Sequence, residues 1–485
     1  MTGEGRAFLV EKVDYPDIVN HLLLLPQMAA ATGPNLRPDA VFQANRQIHL
    51  PGQPKGAPGK WSSRQVAQAI PRRAGFVLDY TIVNGTQTDY VFQGDTTYYV
   101  TNTVQLNGTT TIEGGAVIKF GDPIGTLLQL NLNGPLICQT APYHPAIITA
   151  KSDDSVGETI SGSSGSPSGT YGYYALAFKD NGTTYDCHDI FIRHAYYAMV
   201  QFSSTDCTFY DIQIGDVVRA FALQPNAKIK SRNFLVHDAT YGYYIPFGSG
   251  ITLAGEHGTM HRVINLLNSP SYTVNLTNTL LISVTNNMSY AGENIETNHT
   301  DTGIFETAAA GSYYLATNIY RNAGTTNVNS DLVAALATQT TYAPTLLTAD
   351  LHVDTVLDRQ VARDTDTPDL GYHYEPLDYI AQSVSVSNAV LTLTNAATLG
   401  VDFDGTNFGI LLDGGAHFIS RGYADDLSRI VCIHAVQEGE PDSGSDYVLL
   451  ADAYLSPSGA QIDLEFAHIP LMASSYFRLF EKICG

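Results

Sequence analysis

From about residue 88 onward, short apolar runs alternate with turn-forming polar residues, and their length predicts strands rather than helices. Thr97-Tyr-Tyr-Val100, Ala116-Val-Ile-Lys-Phe120 and Ala146-Ile-Ile-Thr149 are such runs, bounded by Asn, Gly, Asp or Thr. The clearest pattern is an internal repeat. Asp189-Ile-Phe-Ile-Arg-His194 aligns with Asp211-Ile-Gln-Ile-Gly-Asp216 and with Asn233-Phe-Leu-Val-His-Asp238, so that Ile190, Ile212 and Phe234 recur every 22 residues. A second run keeps the same offset in each unit: Ala198-Met-Val, Ala220-Phe-Ala and Gly242-Tyr-Tyr. A further unit containing Ile264 follows an insertion at 246–261. Two short strands per unit cannot bury their own apolar face, whereas stacked units can. Alternation within each run turns Ile190 and Ile192 inward and Phe191 and Arg193 outward. The period is too short for propeller blades, and the leucine and asparagine pattern of leucine-rich repeats is absent. A stacked coil of parallel strands fits best.

The flanks read differently. Residues 1–87 form an irregular, Pro- and Gly-rich cap with the only Trp, Trp61, and a short predicted helix at 62–70. After residue 378 the repeat stops, and runs such as Val390-Leu-Thr-Leu-Thr394, Ile430-Val-Cys-Ile433, 447–450 and 476–480 predict a small sandwich-like β-domain over 379–485.

Two motifs carry a resemblance. Thr111-Ile-Glu-Gly-Gly-Ala-Val-Ile-Lys-Phe120 resembles the opening of right-handed parallel β-helix proteins of the pectin-lyase-like class. Asp364-Thr-Asp-Thr-Pro-Asp-Leu-Gly-Tyr-His-Tyr-Glu375 resembles their closing segment in many bacterial members. Over residues 88–378 the resemblance implies a right-handed parallel β-helix, an all-β solenoid of coils of about 22 residues. It also implies an extracellular or cell-surface setting. It says little about activity, since the class includes lyases, hydrolases, epimerases, tail spikes and adhesins.

Composition narrows the partners. The 485 residues carry 25 Lys+Arg against 47 Asp+Glu, a net charge of −22 that argues against general nucleic-acid binding. The first 75 residues alone hold nine basic and five acidic side chains, leaving the remainder still more acidic. No apolar run is long enough to span a membrane, and the first residues lack a secretory signal pattern. Five cysteines without a C-x-x-C spacing read as ordinary buried thiols. No cofactor motif and no metal-ligand spacing stands out.

The repeat turns offsets of 22 into spatial neighbours, because adjacent parallel strands lie about 4.8 Å apart. His194, Asp216 and Asp238 then stack after the first strand, with Arg193 and His237 beside them. Asp189, Asp211 and Asn233 stack at its start, and Tyr197, Arg219 and Tyr241 at the next corner. Asp216 and Asp238, tuned by His194 and His237, are the candidate acid pair of a polysaccharide hydrolase or lyase, and Arg219 a candidate anchor for an acidic sugar. Arg193, Tyr197, Tyr241 and Asp211 are the candidate binding residues. The competing reading is that Asp and Asn at strand corners serve only to bond the local backbone.

Motifs of the resembling enzymes are not intact. Gly255-Glu-His-Gly258 and Lys228-Ile-Lys230 echo two polygalacturonase elements in reversed order, and the calcium carboxylates of pectate lyases are absent. Tyrosine doublets at 98–99, 173–174, 196–197, 243–244 and 313–314 should each turn one ring outward, a stripe suited to flat sugar faces. Three functions follow. The leading one is a structural, adhesive or glycan-binding module of a bacterial surface or secreted protein, compatible with a homo-oligomer. The others are a polysaccharide-active enzyme and a tail-spike-like receptor binder.

Overall fold

A computed structural model of the chain describes residues 2–3, 6–7, 80–94, 96–121, 127–180, 182–202, 204–286, 289–402, 409–439 and 460–470. The helix expected at 62–70 and the strands expected at 447–450 and 476–480 lie outside them. The chain divides into two compact units, Met1–Val77 and Leu78–Gly485. In the first, Thr2–Gly3 pairs antiparallel with Arg6–Ala7.

The second unit is all-β apart from short helical turns, one of which is α1 (Ser330–Leu336), capped by the Asn329 side chain. Its first part contains β1 (Thr81–Thr88), β2 (Thr97–Asn107), β3 (Val117–Phe120), β4 (Gln129–Leu132), β5 (Ala146–Ala150), β6 (Gly172–Phe178) and β7 (Thr184–Arg193). It continues through β8 (Ala195–Gln201), β9 (Asp206–Leu223), β10 (Lys228–Tyr244), β11 (Thr252–Leu267), β12 (Val274–Ile282) and β13 (Tyr290–Asn298). All pairings among these strands are parallel.

The predicted offset is visible in the register: Ile190 pairs Ile212, which pairs Phe234, and all three are fully buried. Between β10 and β11 the offset becomes 24, Phe234 lying beside Gly258. The insertion is thus shorter than the sequence suggests, because β11 already begins at Thr252.

The fold class expected from the repeat, a right-handed parallel β-helix of pectin-lyase-like type, is corrected by how the strands connect. The hydrogen-bonding path runs β7-β5-β3-β2-β4-β6-β8-β9 and returns from β9 to β7, the connectivity of a closed eight-strand parallel barrel with extra strands beside it. Two long strands close it. β2 pairs β3 through Thr97–Val100 and β4 through Val104–Leu106, and β9 pairs β7 along its first half and β8 along its second. The physical reason lies in single residues. Asp216 (φ 52°) and Asp238 (φ 50°) take left-handed conformations that bend their strands without ending them. Corners that should have separated two sheets instead join them.

The C-terminal β-sandwich is corrected too. Among the described residues three parallel sheets run through this region: Thr345–Leu347, Tyr379–Gln382, Thr398–Asp402, Ser428–Cys432 and Ala467–His468; Thr355–Leu357, Val390–Thr394, His417–Arg421 and Gln461–Glu465; and Val384–Val386 with Ile410–Leu412. Short strands at regular spacing do not reveal their direction, which is where the sequence reading failed. Their apolar side chains form a second core around Leu391, Leu399, Phe418 and Ile430.

The outer side of β7, β9 and β10 is covered as well. Phe191 and Arg193 are only 4% exposed despite pointing away from the core. Phe191 packs with Val117, Ile147, Val156 and Ala435. Leu235 packs with Tyr313, Tyr372, Tyr374 and Val436. Gln213 ties this cover down, donating to the Tyr372 hydroxyl at 3.0 Å and the Val436 carbonyl at 2.7 Å. Among the described residues no helix is long and apolar enough to cross a membrane.

Candidate functional site

After each bend the burial pattern runs buried, half-buried, half-buried, buried. Two consecutive residues therefore face outward on every strand, where ideal alternation would give one. On β6 and β8 these are Tyr173-Tyr174 and Tyr196-Tyr197, so both rings of each doublet reach the surface. On β9 and β10 they are Val218-Arg219 and Thr240-Tyr241. Register aligns Tyr174, Tyr197, Arg219 and Tyr241 in one row. In a neighbouring row, Ala177, Val200 and Ala222 supply a floor of small side chains and Tyr244 ends it with a ring. The remaining doublets behave otherwise: Tyr98, Tyr243, Tyr313 and Tyr314 are buried.

Arg219 lies at the centre of these rings. The Arg219 guanidinium lies 4.1 Å from the Tyr244 ring centre, 4.5 Å from Tyr197, 4.6 Å from Tyr196 and 5.7 Å from Tyr241. Its Nε and Nη1 are inaccessible and find no hydrogen-bond acceptor, so π faces surround them instead. Each such contact contributes about 0.5–2 kcal/mol, the more so as water is excluded. Tyr173 stacks on Tyr196 with ring centres 5.5 Å apart, and Tyr174 meets Tyr197 edge-on at 5.2 Å. Phe202 extends the surface, with Lys179 4.7 Å from its ring centre. Burial pushes the Tyr174 and Tyr197 phenols up to about 12, so both hydroxyls stay neutral and can donate and accept. In the loop at 155–170, Val156 packs with Val117, and the Glu158 N–H donates to the Thr97 hydroxyl at 2.9 Å.

Three residues before this face lies the charged corner. Here His194, Asp216, Asp238 and Arg262 occupy successive left-handed positions. Asp216 is exposed. Asp238 is held by Arg262, whose Nε and Nη2 donate to its two oxygens at 2.6 and 2.5 Å, and by His237 Nδ1 at 3.0 Å. Burial would raise the Asp238 carboxyl, but the Arg262 and His237 contacts outweigh it and hold the group well below the usual carboxylate range. A general acid requires the opposite shift. His237 is buried and lies over Gly215, where a side chain's Cβ would come within 2.3 Å of the imidazole. His194 is buried, its carbonyl accepting from the Tyr171 N–H at 2.7 Å. Arg193 is buried beside Asp153; burial raises that carboxyl, but the Arg193 charge and the Ser155 and Thr149 hydroxyls bring it below its ordinary value.

Asp211 belongs to the second left-handed row, with Asp189, Asn233, His257 and Asn278. It accepts from Asn233 at 2.7 Å and Gln339 at 2.8 Å, and Gln339 also donates to Glu375 at 2.9 Å. Asp189, Asp211 and Glu375 line a water-sized cavity of about 10 Å³ under the covering chain. Burial and then mutual repulsion push Asp211 up to about 6 and Glu375 up to about 8.

The structure thus brings Arg219, Tyr197 and Tyr241 together, sets His237 and Asp238 in a separate ion-paired group, and encloses Arg193 and Asp211. Sequence reasoning missed Tyr196 and Tyr244 as partners of Arg219, and Tyr173 and Tyr174 as the rings packed beside them, although the doublets were a usable signal. It also missed Arg262, which the offset of 24 displaces from the 22-residue alignment.

No family model and no curated protein matches the chain. Among solved structures it is similar to the crystal structure of alginate lyase from Paenibacillus sp. str. FPU-7, at 9% identity over 74% of this chain and 92% of that one. The TM-score is 0.20, a superposition too loose to transfer either a fold or an activity. The pectin-lyase-like resemblance gains no support from it.

Proposed function

We propose that this protein binds glycans, in an adhesive or architectural role, on the tyrosine-lined outer face of β6, β8, β9 and β10. The observation that carries this reading is the ring cluster locked around Arg219. Sugar rings present apolar C–H faces and hydroxyl rims, and flat aromatic rings with neutral hydroxyls offer the complement to both. Rings fixed in advance lose little entropy on binding. The row Tyr174-Tyr197-Arg219-Tyr241 advances by one strand spacing, about 4.8 Å, per residue. That step is close to the length of one pyranose unit in an extended chain, so consecutive sugars can meet consecutive strands.

Affinity electrophoresis and glycan arrays on the purified chain test this, read together with release of reducing or unsaturated ends. Binding that is lost in a Tyr174→Ala/Tyr197→Ala double variant and kept in Asp216→Asn supports the proposal. Undiminished binding in the double variant, or none to any polysaccharide, overturns it, and sugar release would make the protein a polysaccharide-active enzyme.

A further inference from the structure

The segment 364–375 crosses the covered side of the sheet and is pinned there. Asn233 takes a two-way grip on His373, its Oδ1 accepting from the backbone N–H at 2.7 Å and its Nδ2 donating to the carbonyl at 2.9 Å. The Tyr372 N–H donates to the Thr259 hydroxyl at 2.9 Å. Within this segment Asp364, Asp369 and His373 each offer a ligand atom, all within 4.8 Å of one another. The three are deeply enclosed: His373 is fully buried, Asp369 is 3% exposed and the Asp364 side chain 2%.

Hydrogen bonding fixes how His373 faces the two carboxylates. Its Nδ1 lies 3.1 Å from the Gly371 carbonyl, which can only accept, so Nδ1 carries the hydrogen. Its Nε2 points at Asp364 Oδ2, 2.7 Å away, an oxygen already accepting from the Asp369 N–H at 2.8 Å. Asp364 Oδ1, meanwhile, is inaccessible and has no hydrogen-bond partner. Asp369 spends one bond on each oxygen, accepting from the Asn322 N–H at 2.7 Å and from the Thr341 hydroxyl. Among the described residues neither carboxylate forms an ion pair with a Lys or Arg. Two buried carboxylates facing a single imidazole leave negative charge uncompensated, a costly arrangement.

We propose that Asp364, Asp369 and His373 bind one divalent transition-metal ion of the zinc class, as a structural staple that fixes the covering segment in the conformation that docks on the sheet. One imidazole nitrogen and two carboxylates suit Zn²⁺, which takes such ligands at about 2.0–2.2 Å. Calcium and magnesium prefer all-oxygen, partly hydrated sites. An Nδ1–H donated to a backbone carbonyl is the usual outer support of a metal-bound histidine. The site is independent of the glycan surface and is tested without it.

The full chain, purified without chelators, is assayed for metal by mass spectrometry, dialysed against EDTA, and reloaded with Zn²⁺ or Co²⁺. The expected result is one metal ion per chain, a lower Tm after EDTA that Zn²⁺ restores, and a visible Co²⁺ absorption of a nitrogen–oxygen site. Asp364→Asn and His373→Gln abolish that absorption. A folded wild-type chain that takes up neither ion and keeps its Tm in EDTA overturns the proposal and leaves a His373–Asp364 ion pair. Retention of the Co²⁺ band in folded variants overturns it equally, by placing the metal elsewhere. Should the variants fail to fold, the wild-type measurements alone decide.

Discussion

Asp216 and Asp238 sit three residues before Arg219 and Tyr241 on the same two strands, yet the two sets of side chains meet different fates. At the corner, charge finds charge within the protein: Asp238 pairs with Arg262 and His237, and His261 lies 3.2 Å from Asp301. On the tyrosine face the Arg219 cation is enclosed by rings, and the rings keep their outer sides toward solvent. An ionic group is satisfied by a few directed contacts and then has little left for a ligand. A flat ring can be packed on one side and remain adhesive on the other. The corner's side chains are spent on one another, and the face is the surface we propose for recognition.

The comparison can be broken most severely from below, through the inward row that both surfaces share. Ile212→Asp places an unpaired charge between Ile190 and Phe234; unfolding, or a loss on the order of 4–5 kcal/mol by chemical denaturation, is expected. Next in size is the acid cavity beneath the cover. Glu375 is pushed up to about 8 in the folded protein against an ordinary 4.5, so the folded state holds a proton that the unfolded state releases. Stability is then fullest below about pH 4.5 for this group and is lost as pH rises through 8, by up to about 1.4 kcal/mol per pH unit. Glu375→Gln should flatten that part of the Tm-against-pH curve, and an unchanged slope would refute the assignment.

Gly215→Ala forces a methyl group against His237 and should cost about 1–3 kcal/mol by urea titration. Arg219→Ala should lower Tm modestly, by the equivalent of about 1–2 kcal/mol, and weaken glycan binding at least tenfold because the rings lose their anchor. Asp216→Asn, exposed and outside the pairing, should change stability by less than about 0.5 kcal/mol. A large effect of this last variant on binding would erase the distinction between corner and face.

Part of this was legible in the sequence. The spacing of Ile190, Ile212 and Phe234 carried the parallel register, since a buried row must repeat at the length of the unit. The recurrence of Asp, Asn and His at the bends was equally readable, because these side chains tolerate left-handed backbone better than most. The doublets announced surface aromatics, but not that both rings of a pair would stay outside, which depends on a local departure from strict alternation. The pairing of Asp238 with Arg262 was hidden by the change of offset after Tyr244.

By itself, then, the sequence determined the all-β character, the inward rows and the residue types at the bends, because each follows from periodicity or local backbone preference. Only the tertiary structure decided the closure of the strand path through β2 and β9, the burial of Arg193 and Asp211, and the meeting of Asp364, Asp369 and His373. Those depend on covering segments that bond residues far apart in the chain, as Gln213 does with Tyr372 and Val436. Contacts of that kind satisfy buried polar groups one at a time and leave no repeating pattern along the sequence from which to read them.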